Sequence, residues 1–341
     1  MSTDPSVRYT SQASRELWFV APRTVELRRT ELTFPAEGEL LVRGLCSGIS
    51  QGTEMLLYRG QGPTPFDPSL DAPGQATYPR RYGYAWVGEV IARANGVQNT
   101  AASVPLGTRV FGLLSHAEFH VVGATSLSLL GEDIPPERAV LASNLETAIT
   151  CVWDAGVSLG DRVVVLGGGI VGQLVAWLAQ SAGGQVRLVE PSARRLAVAR
   201  LLGVHEAVTP EKDDPSGSAD VVIEATGDPQ TLDRAIAHAG LEATVVVASF
   251  YGGRISAVNL GSAFHRKRLS LKASQVSRVP STRRARWSLS RRFELVRTLL
   301  ARPVLDVLID PPVPFEQAPE VYRRIDQSPG DGLQTVFQYA H

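Results

Sequence analysis

Several features that mark specialised classes of protein are scarce in this 341-residue sequence. Two cysteines, Cys46 and Cys151, are too few for a disulfide scaffold or for a structural zinc site with four thiolates. Neither sign of charge is in excess, because the 34 Lys and Arg residues equal the 34 Asp and Glu residues in number. The chain therefore has no net charge that would attract it to nucleic acid or anionic membranes. The most apolar stretch, residues 163–179, contains three consecutive glycines and is shorter than the ~18–20 residues of a membrane-spanning helix.

What remains is the composition of an ordinary globular protein. An apolar fraction of 44% and a charged fraction of 20% are typical of a folded chain. At roughly 150 residues per domain, the length predicts about two domains. The first ten residues lack the layout of a signal peptide, and the low cysteine content fits a reducing compartment. We therefore expect a cytoplasmic protein without a membrane or nucleic-acid partner.

The pattern of apolar residues changes near Pro135. Before it, short period-two stretches such as residues 15–50 predict a mostly β region, with a surface loop at residues 61–79. After it, five apolar strands alternate with helices of about 12 residues, which predicts a doubly wound parallel sheet. The predicted strands are 161–169, 185–190, 206–210, 219–227 and 243–253.

Two further parts of the chain have a less regular pattern. Residues 211–218 are too polar and too few for a full crossover helix, so we expect an irregular connection there. The C-terminal part predicts a helix at 290–301, a strand-like segment at 306–310, a helix at 314–328 and a last strand at 333–340.

A glycine-rich turn follows the first predicted strand of the parallel sheet. Gly167, Gly169 and Gly172 satisfy the pattern G-x-G-x-x-G, and Ile170 and Val171 open the helix that follows. The first glycine permits a tight turn, the second lets the backbone approach a pyrophosphate, and the third lets the helix pack on the strand. The free N–H groups of the helix N-terminus then bind phosphate. The pattern predicts a dinucleotide site; the plainer alternative is a packing turn.

Glu190 ends the next strand and bears on the identity of the cofactor. Its carboxylate can accept hydrogen bonds from both hydroxyls of the adenosine ribose, and it would repel a 2′-phosphate. We therefore predict NAD, with NADP possible because Arg194 and Arg195 lie nearby. Arg195 is predicted to contact the cofactor, although both arginines also fit a solvated helix face.

Taken together, these motifs resemble the medium-chain dehydrogenase/reductase superfamily of alcohol dehydrogenase-like proteins. The segments that carry the resemblance keep the family's order: SGISQGTEMLLYRG, YPRRYGYAWVGEV, GTRVFG, the GGGIVG turn with Glu190, DVVIEATG and PFEQAPEVYRRI. The resemblance implies an α/β fold with a Rossmann domain at 148–276. It also implies a β-rich, GroES-like catalytic domain made of 1–147 and 277–341, with the active site in the cleft between them.

The positions that hold a catalytic zinc ion in many members of that family carry other residues here. The resemblance places Ser50 and Gln51 at the Cys position, Tyr84 at the His position and Ser143 at the third. Hydroxyl and amide groups are poor zinc ligands, so we expect no zinc. His116 and His120 do not replace the site, because four residues of a strand span about 13 Å.

Without a metal ion, hydrogen-bond donors must polarise the substrate oxygen. Tyr84 is predicted to do this, or else to fill space in an apolar pocket. Thr53 matches the family's proton-relaying hydroxyl, and Glu54 either assists or holds the loop. Glu146 is a candidate acid/base or a plain helix-terminal carboxylate, and His116 is a candidate at the border of the cleft.

The remaining candidates are expected to contact the cofactor. Thr147 matches a family position that packs on the nicotinamide. Thr226, Ser249 and Tyr251 follow predicted strands, and ligands bind outside the carboxyl ends of such strands. Residues 266–292 hold ten Lys or Arg and no acid, which fits a basic surface, an oligomer contact or recognition of an anionic substrate.

The sequence thus predicts an NAD(H)-dependent, zinc-independent oxidoreductase that acts on a small-molecule secondary alcohol or ketone. Two alternatives stay open: a quinone or enoyl reductase that uses NAD(P)H, and a dinucleotide-binding protein without turnover. The resemblance also suggests a homodimer formed through an edge strand in LSLKASQV.

Overall fold

A computed structural model describes residues 11–62, 77–94, 104–330 and 332–340. The strands are β1 (Ser11–Ala21), β2 (Thr24–Thr33), β3 (Glu39–Gly48), β4 (Arg80–Arg81), β5 (Trp86–Arg93), β6 (Arg109–Gly112), β7 (Phe119–Gly123), β8 (Leu127–Leu129), β9 (Arg162–Leu166), β10 (Gln185–Val189), β11 (Glu206–Val208), β12 (Ala219–Glu224), β13 (Ala239–Val247), β14 (Ser270–Ala273), β15 (Val313–Pro314) and β16 (Val336–Gln338). The helices are α1 (Thr53–Tyr58), α2 (Pro136–Ala139), α3 (Ala142–Ala155), α4 (Ile170–Ser181), α5 (Ala193–Leu201), α6 (Leu232–His238), α7 (Leu289–Leu300) and α8 (Ala318–Gln327).

The predicted doubly wound sheet is confirmed. Six parallel strands run in the order β11-β10-β9-β12-β13-β14. Their Val-rich runs are buried because helices such as α3 and α4 cover the sheet. The order reverses direction at β9, so the turn after β9 lies at the switch point where open α/β sheets bind ligands.

The link between β11 and β12 is irregular, as the sequence predicted. Residues 209–218 form turns and bends rather than a helix. Asp213 in this link is buried and accepts hydrogen bonds from Arg234 and His238, at 2.8 and 2.9 Å. These bonds fasten the link to α6 in place of an apolar helix face.

The other half of the molecule is mostly antiparallel, which confirms the predicted β-rich part. One sheet runs β15-β16-β3-β5-β6-β8, with β7 paired to β3, and a second runs β2-β1-β4. Helix α8 packs its apolar face on this half, where Tyr322 and Phe315 are fully buried. The chain enters this half twice, because β15 and β16 return from the C-terminal part to pair beside β3.

One predicted element is wrong. The strand-like segment 306–310 is mostly helical, since residues Pro303–Leu308 form 3₁₀ turns that begin with a proline and bury Leu305 and Leu308. Only Ile309 makes a strand-like bridge, to Gln334. A short apolar run fits either geometry, and here the proline at the first turn favours the helix.

The predicted domain boundaries stay a prediction. The six parallel strands fall between residues 162 and 273, inside the predicted domain 148–276, whereas α3 runs across position 147. Most of the predicted loop 61–79 lies outside the described residues. Within the described ranges, no helix is long and apolar enough to cross a lipid bilayer.

Candidate active site

The glycine turn after β9 has the geometry that a phosphate-binding turn requires. Gly167 adopts φ +96°, a conformation that side chains other than glycine rarely adopt. Gly172 lies in the first turn of α4, and a Cβ atom there would stand 1.8 Å from the carbonyl oxygen of Gly167. Both positions therefore require glycine for the turn itself.

The two middle glycines face different surroundings. A Cβ on Gly168 would meet the side chain of Glu190 at 2.9 Å, whereas a Cβ on Gly169 would meet nothing within 4 Å. Gly169 is also the residue just before the N-terminus of α4, so its outer side opens where the free N–H groups of the helix point. This open space beside the turn fits a pyrophosphate, and the site thus suits a dinucleotide.

Glu190, the predicted ribose-binding carboxylate, lies against the turn. Its side chain is buried, and it accepts the N–H of Gly168 at 2.7 Å and the N–H of Ser192 at 2.8 Å. These bonds fix the carboxylate at the end of β10, next to the open side of the turn. The role of Glu190 toward ribose stays a prediction.

A second polar cluster lies at the carboxyl ends of β12 and β13. Glu224 is fully buried and accepts the N–H of Thr226 at 2.7 Å, and the hydroxyls of Thr226 and Tyr251 donate to the same carboxylate. Ser249 accepts the N–H of Gly227 at 2.8 Å. Two of the three predicted contact residues of this edge, Thr226 and Tyr251, therefore bond Glu224, which the sequence reasoning missed, and Ser249 binds the neighbouring backbone at Gly227. The signal was present, because a carboxylate within an apolar strand needs partners.

Three hydroxyl groups lie together around the positions that the resemblance aligns with the first two metal ligands of the family. The Tyr84 hydroxyl donates to Ser50 Oγ and lies 3.5 Å from Thr53 Oγ1, and the Thr53 N–H donates to Ser50 Oγ at 3.2 Å. We call Ser50, Thr53 and Tyr84 the hydroxyl cluster. The cluster joins the end of β3, the start of α1 and the segment before β5.

The hydroxyl cluster does not fit a zinc ion. Zinc in proteins is bound by thiolate, imidazole and carboxylate groups, and the cluster offers neutral hydroxyls. Ser143, the third position of the predicted set, is a buried hydroxyl without a hydrogen-bond partner among the described residues. In the part of the chain that the structure describes, no three His, Cys, Asp or Glu side chains come together as a metal site.

Tyr84 is held in its neutral form. Burial, and after it the nearby Glu54 carboxylate, raises the pKa of Tyr84 above that of an exposed tyrosine. A neutral phenol donates a hydrogen bond and cannot act as an anionic base near pH 7. Tyr84 therefore takes part in the cluster as a neutral hydroxyl.

Glu54 and His116 lie directly behind the cluster rather than in it. Glu54 is fully buried and accepts the Ser50 N–H at 2.9 Å, the Tyr322 hydroxyl at 2.5 Å and a bond with His116 Nε2 at 3.0 Å. The other ring nitrogen of His116 bonds the Ser47 hydroxyl at 2.7 Å. The geometry favours the loop-holding interpretation of Glu54, since its carboxylate fixes the backbone of Ser50.

Glu146 and Thr147 occupy the second turn of α3. The Glu146 carboxylate pairs with Arg292 of α7 at 2.9 Å, and Arg292 also donates to Thr150 at 2.8 Å and to the carbonyl of Val276 at 2.7 Å. Both members of the ion pair are largely buried, so it joins two helices. Thr147 turns its hydroxyl onto the carbonyl of Ser143 at 2.9 Å. An acid/base role of Glu146 and a nicotinamide contact of Thr147 stay predictions.

His116 and His120 have separate hydrogen-bond partners. The strand that carries His120 begins at Phe119, and His116 lies before it, where the sequence predicted the entry to the strand. His120 Nε2 bonds the carbonyl oxygen of Ser115 at 2.9 Å, and burial lowers the pKa of His120 to about 4. Both histidines therefore have partners in the interior of the β-rich half.

The basic stretch 266–292 is mainly a surface. Three of its charges are paired: Arg292 with Glu146, Lys272 with Asp154 and Arg268 with Glu242. Five others are exposed: Arg266, Arg278, Arg284, Arg286 and Arg291. The surface alternative is thus favoured, and recognition of an anionic substrate stays a prediction.

Arg194 and Arg195 lie at the start of α5 and reach the other half of the molecule. Arg195 donates to the carbonyl of Gly332 at 2.8 Å and to Gln51 Oε1 at 3.2 Å, and Arg194 donates to Asp310 at 2.6 Å. Sequence reasoning missed these contacts, because 144 positions separate Gln51 from Arg195.

Comparison with known proteins places these features in a wider group. A family model described as zinc-binding dehydrogenase matches residues 171–292. The chain is 27% identical to D-guloside 3-dehydrogenase of Escherichia coli K12, over 94% of this chain and 98% of that protein. It is 32% identical to 2-desacetyl-2-hydroxyethyl bacteriochlorophyllide A dehydrogenase of Rhodobacter capsulatus, over 67% of this chain and 71% of that protein.

The fold is shared with solved structures at lower identity. An alcohol dehydrogenase of Escherichia coli CFT073, solved with NADH, superposes with a TM-score of 0.76 at 18% identity. The superposition covers 96% of this chain and 99% of that one.

Proposed function

This chain belongs to the medium-chain dehydrogenase/reductase superfamily of alcohol dehydrogenase-like proteins, and we propose that it is a zinc-independent, NAD(H)-dependent oxidoreductase that interconverts a secondary alcohol and a ketone. The observation that carries the proposal is the hydroxyl cluster. Ser50 and Tyr84, at two positions where the family resemblance expects metal ligands, join by hydrogen bonds with Thr53, the expected proton-relaying hydroxyl.

The hydrogen bonds of Ser50 indicate which group meets the substrate. Ser50 Oγ accepts one bond from Tyr84 and one from the Thr53 N–H, which occupies both of its lone pairs. Within the described residues, the hydroxyl hydrogen of Ser50 has no acceptor. The Thr53 hydroxyl hydrogen likewise has no acceptor there, but Thr53 Oγ1 keeps room to accept, whereas the acceptor sites of Ser50 are filled. We therefore assign donation to the substrate oxygen to Ser50, with Tyr84 strengthening it by its own hydrogen bond to Ser50.

The chemistry divides between cofactor and protein. A bound nicotinamide cofactor supplies the hydride acceptor or donor. The Ser50 hydroxyl donates to the substrate oxygen while the C–H bond breaks or forms. The proton that an alcohol loses on oxidation, or that a ketone gains on reduction, passes through the Thr53 hydroxyl to or from solvent water, since among the described residues Thr53 Oγ1 has only the 3.5 Å contact with Tyr84. Tyr84 stays neutral because its pKa is raised, so it donates a hydrogen bond throughout. Glu54 holds the Ser50 backbone in place through the bond at 2.9 Å.

For the cofactor, the glycine turn and Glu190 support NAD over NADP. Gly167, Gly169, Ile170, Val171 and Gly172 would hold the pyrophosphate at the open side of the turn. The buried Glu190 carboxylate at the end of β10 would take the ribose hydroxyls and oppose a 2′-phosphate.

Relatives support the substrate class. The guloside and bacteriochlorophyllide dehydrogenases are named for the oxidation of hydroxyl groups on small molecules. This favours alcohol and ketone chemistry over reduction of a conjugated double bond. We further propose, by family analogy, a cytoplasmic homodimer that pairs through the edge strand β14 (Ser270–Ala273).

Two linked measurements test the proposal. NADH and NADPH are titrated separately against the protein, and their fluorescence is followed; we expect NADH to bind at least about tenfold more tightly. Secondary alcohols, glycosides, ketones and enones are then assayed with NAD⁺ or NADH. Turnover of alcohols or ketones supports the proposal. Reduction of enones at the C=C bond alone supports the enoyl reductase, and NADH binding without turnover supports a non-catalytic dinucleotide-binding protein.

A further inference from the structure

Arg194 and Arg195 connect the two halves of the molecule beside the predicted cofactor site. The side chain of Arg195 is 13% exposed, and its guanidinium donates to the carbonyls of Gly332 and Pro329 and to Gln51 Oε1, at 2.8, 3.3 and 3.2 Å. Arg194 pairs with Asp310 at 2.6 Å. We call Arg194, Arg195 and these acceptors the arginine clasp.

The backbone of Arg195 is fastened to the glycine turn. Gln173 of α4 donates through one nitrogen, Nε2, to the carbonyl of Gly168 at 3.1 Å and to the carbonyl of Arg195 at 2.8 Å. The Arg195 N–H donates to Ser192, whose own N–H binds Glu190. A shift of the turn or of Glu190 is therefore transmitted to the start of α5.

On its other side, the arginine clasp contacts the loop between β3 and α1, which carries Ser50 and which we call the substrate loop. Gln51 is the residue directly after Ser50. Asp310 also accepts the N–H of Leu333 at 3.0 Å, and Gln334 donates to the carbonyl of Ile49 at 3.1 Å. The clasp thus fixes both the loop that carries Ser50 and the C-terminal segment that packs beside it.

From this continuous set of contacts we infer that Arg195 is a positioning residue, which holds the substrate loop through Gln51 and links that loop to occupation of the dinucleotide site. The inference rests on the proposed function, because it takes the Ser50 loop as the substrate site. It departs from the expectation that Arg195 binds the cofactor. The Nη2 and Nε groups of Arg195 donate hydrogen bonds to carbonyl and amide oxygens of the other half. Of its guanidinium nitrogens, Nη1 is the one that approaches Glu190, at 4.0 Å.

This arrangement has a consequence for cofactor choice. A guanidinium that is held by three backbone and amide oxygens is not available to a 2′-phosphate unless the clasp opens. Arg195 therefore contributes to closure of the cleft and leaves the discrimination between NADH and NADPH to Glu190.

The test compares Arg195→Ala with two matched variants. Arg195→Lys keeps the charge but loses the planar fork. Arg200→Ala removes an arginine of the same helix, which donates to the carbonyl of Ala207 within the nucleotide-binding half. Hydrogen exchange is measured on the cofactor-free proteins. In Arg195→Ala we expect peptides that cover residues 48–54 and 332–336 to exchange at least about threefold faster. Arg195→Lys gives an intermediate rate, and Arg200→Ala matches the parent protein.

A second readout uses NADH and NADPH as probes. Arg195→Ala should release NADH about tenfold faster in stopped-flow displacement, while the ratio of the NADPH and NADH dissociation constants stays within about threefold of the parent value. Unchanged exchange at 48–54, or a loss of NADPH affinity that is tenfold greater than the loss for NADH, would overturn the inference. If the parent protein binds no NADH, the proposed function fails, whereas the exchange experiment still decides whether the clasp exists.

Discussion

Gly169 and Gly172 allow the dinucleotide site to be separated from the fold that builds it. A methyl group at Gly169 meets no atom within 4 Å, and its backbone, at φ −65°, suits any residue. Gly169→Ala therefore loses only the small advantage of glycine before a helix, about 0.5–1 kcal/mol. A methyl group at Gly172 stands 1.8 Å from the Gly167 carbonyl oxygen and forces the turn apart. We expect Gly172→Ala to destabilise the protein by about 3 kcal/mol.

Both substitutions should abolish tight binding of NADH, for different reasons. The methyl group of Gly169→Ala occupies the space that the pyrophosphate needs. Losing two charge-assisted hydrogen bonds at about 1.5 kcal/mol each weakens Kd on the order of 100-fold. Thermal unfolding then separates the variants, since Tm should fall by roughly 1–4 °C in Gly169→Ala and by roughly 6–12 °C in Gly172→Ala. Parent-like NADH affinity in a folded Gly169→Ala protein would refute the placement of the cofactor.

Three further predictions follow from single contacts. Tyr84→Phe should lower kcat about 100-fold and leave the Kd of NADH within about twofold, because one donor behind Ser50 is lost; an unchanged kcat would show that Tyr84 only fills space. Arg292→Met should reduce the free energy of unfolding in urea by about 3 kcal/mol, and adding Glu146→Met should recover more than half of it, because an unpaired buried carboxylate is then removed; a double variant without activity would instead favour acid/base catalysis by Glu146. The pKa of His120 is about 4 in the folded protein, against an ordinary value of 6.5. As the pH drops below 6.5, His120 is therefore protonated in the unfolded chain before it is protonated in the folded protein, and the free energy of unfolding falls. Between pH 7 and pH 5 this amounts to about 2 kcal/mol, and the same acid sensitivity in His120→Gln would contradict it.

The parallel sheet and the glycine turn could be predicted because their signals are local. Apolar runs alternate with helical spacing, and Gly167–Gly172 stands between a strand and a helix, so each rule applies within a short window. The same restriction to short windows explains why the strand predicted at 306–310 is wrong. Its apolar residues fit a strand or a helix, and the proline that favours the helix, Pro303, lies before the segment.

The candidate site could be predicted only in part. Ser50, Thr53 and Tyr84 were found through the family's motifs, but no pattern in the sequence shows that their hydroxyls bond to one another. The partner of Glu146 is 146 positions away, and the acceptors of the Arg195 guanidinium are 134 or more positions away. Such contacts depend on how the two halves meet, which side-chain periodicity does not encode. Glu224 is the exception, since a carboxylate at the end of an apolar strand indicates buried partners.

In the proposed mechanism, the hydroxyl cluster replaces a metal ion at the substrate oxygen. The most direct measurement treats the protein with a chelator, quantifies zinc by elemental analysis and assays turnover of a secondary alcohol with NAD⁺ on the same sample. We expect the chelator-treated protein to keep its full turnover rate at less than about 0.1 zinc per chain, because the hydroxyl cluster does not fit zinc. Turnover that disappears with the chelator and returns in proportion to added zinc, up to one ion per chain, would contradict it.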